Sequence, residues 1–211
     1  MIIGRWFEMQ NNIPRPSAIE VDKYLKSWSE LEKYYLQEDA LNKLFTKLCP
    51  GNDDLSDILL KVATLNDFYS TNIFSIYPVA KQILSLQIDK RLNANDTTLV
   101  SEIAKVMING KTKNFYSFAT KYCSHHNPNG YPIYDSYIDA VLWHFRKTDE
   151  FTDFKRPELK DYSTFKKVLI DFREYYKLHK YTLKQIDQYL WQLGKEHFTK
   201  NYGKKKSNTV L

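Results

Sequence analysis

Apolar residues recur at helical spacing along nearly all of this 211-residue chain, and only six glycines and seven prolines interrupt them. That pattern constrains the fold more than any other feature. A face repeating at i, i+3, i+4 and i+7 is buried by forming a helix. A loop-rich sandwich, a disordered chain or a fibrous repeat needs far more turn-forming residues. No stretch sustains an alternation of period two, and no fixed-period repeat occurs. The expected fold is all-α, a compact bundle of roughly eight to ten helices in a single domain over 1–211. The length is enough for a substantial core. Such a bundle can divide into two lobes, roughly 54–126 against 1–53 plus 127–200, with a cleft between them.

Local signals set the expected boundaries. Ser17 stands three residues before Glu20, a capping-box spacing at the head of a helical run over 17–49. The stretch 50–54 is a turn, with Asp53 or Asp54 as cap of the next helix, 54–69. Pro78 within 72–88 predicts a kink or break near Tyr77. Helices follow over 95–108, 115–126, 136–147, 163–179 and 182–198. The polar link 109–114 holds Gly110 as a helix stop, 127–132 is a Pro/Gly/Asn loop, and 148–162 is a charged connection. The segment 201–211 is a basic tail with a frayed end.

The N-terminus lacks the pattern of a secretory signal, and no apolar run is long enough to span a bilayer. Two cysteines, Cys49 and Cys123, make no disulfide framework, which fits a reducing compartment and a cytoplasmic protein. A net charge of +6 permits an anionic partner, of which nucleic acid is the commonest.

Most candidate chemistry reduces to structure. Cys123, His125 and His126 are soft ligands close together, but they lack the paired spacing of a zinc site, so no metal and no cofactor is expected. No nucleophile elbow or phosphate-binding glycine loop occurs. Leu183, Ile186, Leu190 and Leu193 form a core stripe, with Tyr189 and Trp191 belonging to core or cleft. The segment 109–138 is richer. A short glycine-containing hairpin carries Lys111 and Lys113 into a helix start, where backbone N–H groups and cations together favour phosphate. Then "YPIYDSYI" (131–138) puts Asp135 at the head of the following helix. Taken alone, that aspartate is a cap.

These elements together resemble the helix-hairpin-helix DNA glycosylase superfamily, which includes endonuclease III and the 8-oxoguanine DNA glycosylases. In that family a helix, hairpin and helix (here near 97–126) precede a Pro-x-Asp-x-x-(Val/Ile/Met) stretch. "YPIYDSYI" is similar to it with one extra residue between Pro132 and Asp135. "STNI" (70–73) resembles the family's short polar break, and "IDQYLWQLGKE" (186–196) the C-terminal end of archaeal-type 8-oxoguanine glycosylases. The hairpin departs from the family's Leu-Pro-Gly-x-Gly, having one glycine and no proline. There is also no four-cysteine cluster for an iron–sulfur centre.

The resemblance implies excision of a damaged base, an oxidised purine, flipped out of double-stranded DNA. Asp135 would stabilise the oxocarbenium-like sugar. Lys113, with Lys111 as the rival lysine, would attack the anomeric carbon to give lyase activity; otherwise water attacks. Asn109, Gly110, Lys111, Ser70 and Asn72 would contact DNA. It further implies a monomer without metal or membrane partner, associated with the nucleoid. Two other readings stay open: a non-catalytic DNA-binding or scaffold protein of the same architecture, and a helical protein-interaction module.

Overall fold

The structure, a computed structural model, describes residues 6–9 and 12–201, and within them the chain is a bundle of ten α-helices with two small antiparallel strand pairs. In chain order the elements are β1 (Trp6–Met9), α1 (Ala18–Trp28), α2 (Glu32–Lys43), α3 (Leu55–Tyr69), α4 (Ile76–Ser85), α5 (Asp89–Asn93) and α6 (Thr98–Ala104). They continue as β2 (Lys105–Ile108), β3 (Lys111–Asn114), α7 (Tyr116–His126), α8 (Ser136–Thr148), α9 (Tyr162–Tyr175), α10 (Leu183–His197) and β4 (Phe198–Asn201). A π turn, Leu44–Leu48, extends α2, and a 3-10 turn, Arg156–Lys160, precedes α9. The all-α expectation holds.

Side-chain caps account for five of the ten helix starts. Ser17 Oγ accepts the Glu20 N–H at 3.3 Å, and Asp54 Oδ1 accepts those of Ser56 and Asp57 at 2.7 and 3.1 Å. Asp135 Oδ1 accepts the Tyr137 N–H at 2.8 Å. Asp161, rather than Ser163 or Thr164, caps α9. Thr182 and Gln185 form a reciprocal capping box on α10. Each such cap contributes about 1 kcal/mol.

The structure departs from the predicted boundaries in four places. The run 17–49 breaks after Trp28. Ser27 Oγ and Ser29 Oγ donate to the carbonyls of Tyr24 and Lys26, drawing the end of α1 away from regular pairing. Pro78 lies in the first turn of α4, where its missing N–H costs nothing, so the chain breaks before it and α4 is not kinked by it. The predicted helix 95–108 stops at Ala104 and continues as a β-hairpin, Lys105–Asn114. Asn109 and Gly110, at φ 50° and 72°, supply the two left-handed residues of a type I′ turn. Finally, Phe198–Asn201, whose last residue begins the expected tail, pair with β1; residues 202–211 lie outside the described residues.

Two groups of helices pack around one continuous core. In one, α3, α4, α6 and α7 pack together with β2; in the other, α1, α8 and α9 pack on α10. In the second, α10 packs tightly on α8 at Gly194, where a Cβ would lie 2.7 Å from the Tyr137 Cβ and 2.9 Å from its carbonyl oxygen. The fully buried Lys61 ties the 50–54 turn down, donating to Gly51 O at 2.6 Å and Asn52 Oδ1 at 2.8 Å. Burial lowers its pKa to about 8. No helix among the described residues is long and apolar enough to cross a membrane.

Candidate functional site

Where the polar break 70–72, α7, α10 and the head of α8 converge, two cavities meet. One is small, about 90 Å³, and lined by the aromatic rings of Trp28, Tyr34, Phe68, Tyr69 and Trp191. That space takes several waters or a flat ring slid between the aromatics. The other is a larger polar groove of about 640 Å³ running past Ser70, Thr71, Asn72, Asn114, Ser117 and Lys160. Tyr69, Lys121 and Asp135 line both.

Each shared residue is fixed from behind. Asp135 is held by capping α8 through Oδ1, in a loop whose preceding proline removes backbone freedom. Lys121 is 3% exposed, on the inner face of α7. Its Nζ donates to Ser117 Oγ at 2.6 Å and to Ser117 O at 3.3 Å, and lies 5.2 Å from the Tyr69 ring centroid. Tyr69 Oη is 3.1 Å from His125 Nε2, and burial pushes its phenol up to about 12. Tyr69 is therefore a neutral wall that does not itself titrate near neutral pH.

The small cavity also has an ionic floor. Glu38 Oε2 accepts Trp28 Nε1 at 2.9 Å and Gln188 Nε2 at 3.1 Å, while Oε1 pairs with Lys184 Nζ at 2.9 Å. This carboxylate joins α1, α2 and α10 and holds the Trp28 ring upright. Trp28 meets Trp191 edge-on at 5.9 Å, and Tyr34 meets it at 4.9 Å. Asp187, 4% exposed, accepts the Ile133 N–H at 3.4 Å. Burial raises its carboxyl to about 7 against the opposing pull of Lys184. For Lys184 burial pulls downward, but the carboxylates of Asp187 and Glu38 outweigh it and its pKa is raised. Asp187 is therefore a proton donor or acceptor near neutral pH, sited in the aromatic-lined cavity.

Of the residues singled out from sequence, Asp135 is at the junction. Ser70 and Asn72 line the groove, both with positive φ, and Asn72 Nδ2 donates to Ser70 O. Asn109, Gly110, Lys111 and Lys113 are all exposed on the hairpin, and neither lysine lines either cavity. The lysine that shares both cavities with Asp135 is Lys121. The reason is geometric: Lys111 and Lys113 sit on an edge strand projecting into solvent, while Lys121 follows one and a half turns into α7. Trp191 belongs to the cavity and Tyr189 to the core. Among the described residues no group of three His, Cys, Asp or Glu side chains is placed to hold a metal.

Lys121, Glu38, Lys184 and Asp187 were not singled out as catalytic or binding residues. Asp187 did leave a signal, since it lies one turn after Leu183 on the apolar face of α10. Lys121 left less, because α7 is buried nearly all round and shows no clear polar face.

Comparison with known proteins finds relatives without a described activity. An uncharacterized protein of Haemophilus influenzae is 53% identical over 148 residues, covering 70% of this chain and 71% of its own length. No solved structure matches. The model of the HI_0787_N family, described as an N-terminal domain, matches residues 20–130, a span holding Glu38, Tyr69 and Lys121 and ending before Asp135 and Asp187. On these matches the chain belongs to the HI_0787_N family.

Proposed function

We propose that this protein is a DNA glycosylase with lyase chemistry, excising a modified base, an oxidised purine, flipped out of duplex DNA. The observation that carries this reading is the junction. A small aromatic-lined cavity and a larger polar groove meet at a lysine and a carboxylate, suited to a nucleotide's base, backbone and anomeric carbon. Flat rings stack between aromatics, and Asp187 with Glu38 offers hydrogen bonds to a base edge.

The chemistry then runs through Lys121. Its deprotonated amine attacks C1′ as the C1′–N glycosidic bond breaks. The base leaves with the bonding pair and takes a proton, for which the neutral Asp187 carboxyl is the nearby source. Asp135 stabilises the cationic character at C1′. Transfer of a proton from nitrogen to O4′, which leaves with the C1′–O4′ bonding pair as the sugar ring opens, gives a protonated Schiff base between Nζ and C1′. This assignment replaces Lys113 by Lys121. The polar break and the basic hairpin lie beside the groove to hold backbone phosphates, so binding should weaken with salt. The reading carries with it a monomer working on chromosomal DNA inside the cell.

Borohydride trapping tests it, because reduction of the imine leaves a stable secondary amine. On duplexes carrying 8-oxoguanine or an abasic site, wild type and Lys113→Ala should give a trapped adduct and Lys121→Ala none. An equal adduct from Lys121→Ala would remove that lysine from the reaction. Salt-sensitive binding without base release on any lesion would return the non-catalytic DNA-binding reading.

A further inference from the structure

The larger groove contains a second lysine that the chemistry above does not use. Lys160 ends the 3-10 turn and lines the groove together with Asp135 and Lys121. Its Nζ donates to Tyr134 Oη at 2.7 Å and lies 4.1 Å from that ring's centroid. Tyr134 is buried and passes its own proton to Asp139 Oδ2 at 2.8 Å. The other oxygen of Asp139 accepts Arg156 Nε at 2.6 Å. The carboxylate is thus spent on Tyr134 and Arg156, and Lys160 reaches it only through the phenol. Among the described residues no carboxylate pairs with Lys160 directly. An ammonium has three donors, of which Tyr134 takes one, and Lys160 is exposed where it lines the groove.

The rest of the groove suits one class of ligand. Its far wall is the Ser70–Thr71–Asn72 break and its near wall Asn114, Ser117 and Ser136, the last in the first turn of the thirteen-residue α8. Hydroxyls, an amide and a cation without a carboxylate partner favour phosphate oxygens. The carboxylate of Asp135 stands at the cavity end, where a sugar rather than a phosphate would lie.

We propose that Lys160, seated on Tyr134, is the anchor for a backbone phosphate flanking the flipped nucleotide. It is a positioning residue: it fixes the register of the strand so that C1′ arrives between Lys121 and Asp135. The inference rests on the glycosylase reading and adds a residue that reading does not require.

The test uses the full chain and a duplex with a tetrahydrofuran abasic analogue, with affinity measured by fluorescence anisotropy over a salt series. Neutral methylphosphonates replace, one at a time, the phosphates flanking the analogue. In wild type one position should lower affinity about tenfold, the loss expected for one charge-assisted contact. Lys160→Gln should cost about the same on the unmodified duplex, lose sensitivity at that position only, and reduce the salt slope by about 1. Lys160→Arg should restore most of the affinity, and the trapped adduct should still form with Lys160→Gln at saturating DNA. Retention of both the slope and the methylphosphonate sensitivity in Lys160→Gln would overturn the anchor while leaving the glycosylase reading intact. So would a wild type indifferent to every flanking methylphosphonate, a result independent of how any variant folds. A wild type that fails to bind the abasic duplex at low salt would remove the glycosylase reading, and the anchor with it.

Discussion

Asp135 combines two tasks that are separable by substitution. As a cap it needs only one acceptor oxygen, here Oδ1 on the Tyr137 N–H. As a stabiliser of a sugar cation it needs negative charge. Asparagine caps about as well as aspartate, whereas alanine loses about 1 kcal/mol. Asp135→Asn should therefore melt within a few tenths of a kcal/mol of wild type yet form adduct at least about 100-fold more slowly. Asp135→Ala should show both losses. Thermal melting and single-turnover trapping on the same preparations separate the two, and unaltered trapping in Asp135→Asn would leave the residue a cap alone. A parallel argument holds for Trp191, which stands edge-on to Trp28 and Tyr34 in the cavity. Trp191→Ala should weaken binding to a lesion-containing duplex by about 1–3 kcal/mol, the worth of one stacked base, with less effect on undamaged DNA. Equal weakening on both duplexes would take the ring out of base recognition.

At the scale of elements, the segments around the groove show what the sequence can and cannot reveal. Helix starts at Ser17, Asp54 and Asp135 were legible because a capping side chain acts on its own next few residues. The hairpin 105–114 was not, because each strand is four residues long and only Val106 is buried, leaving too little alternation to outweigh the helical pattern before it. Asn109-Gly110 marks both a helix stop and a short hairpin link in the sequence, but nothing there marks the paired strands on either side of it. Lys121 was obscured for a similar reason: its role comes from Tyr69, Ser117 and Asp135, which lie on three different elements. The polar break carries a feature of its own. Phe74, just beyond it, is 96% exposed, so it contributes almost nothing to the core. Apolar side chains at such positions can wedge between base steps and help unstack them. Phe74→Ala should leave stability within about 0.5 kcal/mol but reduce the fluorescence rise of a 2-aminopurine placed beside the lesion. An undiminished signal would show that flipping proceeds without this ring.

For the whole molecule, the buried titratable groups set a pH dependence whose sign can be worked out. His125 and His126 are each held near pKa 3, first by burial, then by Lys184, His126 and Lys121 around His125 and by Lys61 beside His126, where Asp89 acts in the opposite sense. Both are neutral in the folded chain and become charged on unfolding below about 6.5. Their contribution is complete above that pH and is lost as pH falls toward 3, at about 1.4 kcal/mol per pH unit for each. Asp187 opposes them. Its folded pKa, raised to about 7 by burial, gives stability that is present below about 3.9 and lost as pH rises through 7. Within this cluster, two protons against one remain between roughly 4 and 6.5, a net loss of about 1.4 kcal/mol per unit on acidification, and His144, also lowered by burial, adds in the same sense. The lowered carboxylates of Asp54 and Asp96 add to the loss only at the acid end. His126 Nε2 has no hydrogen-bond partner, so His126→Leu forfeits little and should cut the slope between roughly 4.5 and 6 by about one proton. Asp187→Asn should steepen it by about one proton. Urea unfolding midpoints at half-unit intervals measure both slopes. If neither substitution changes the slope in that window, the pH dependence arises outside this cluster.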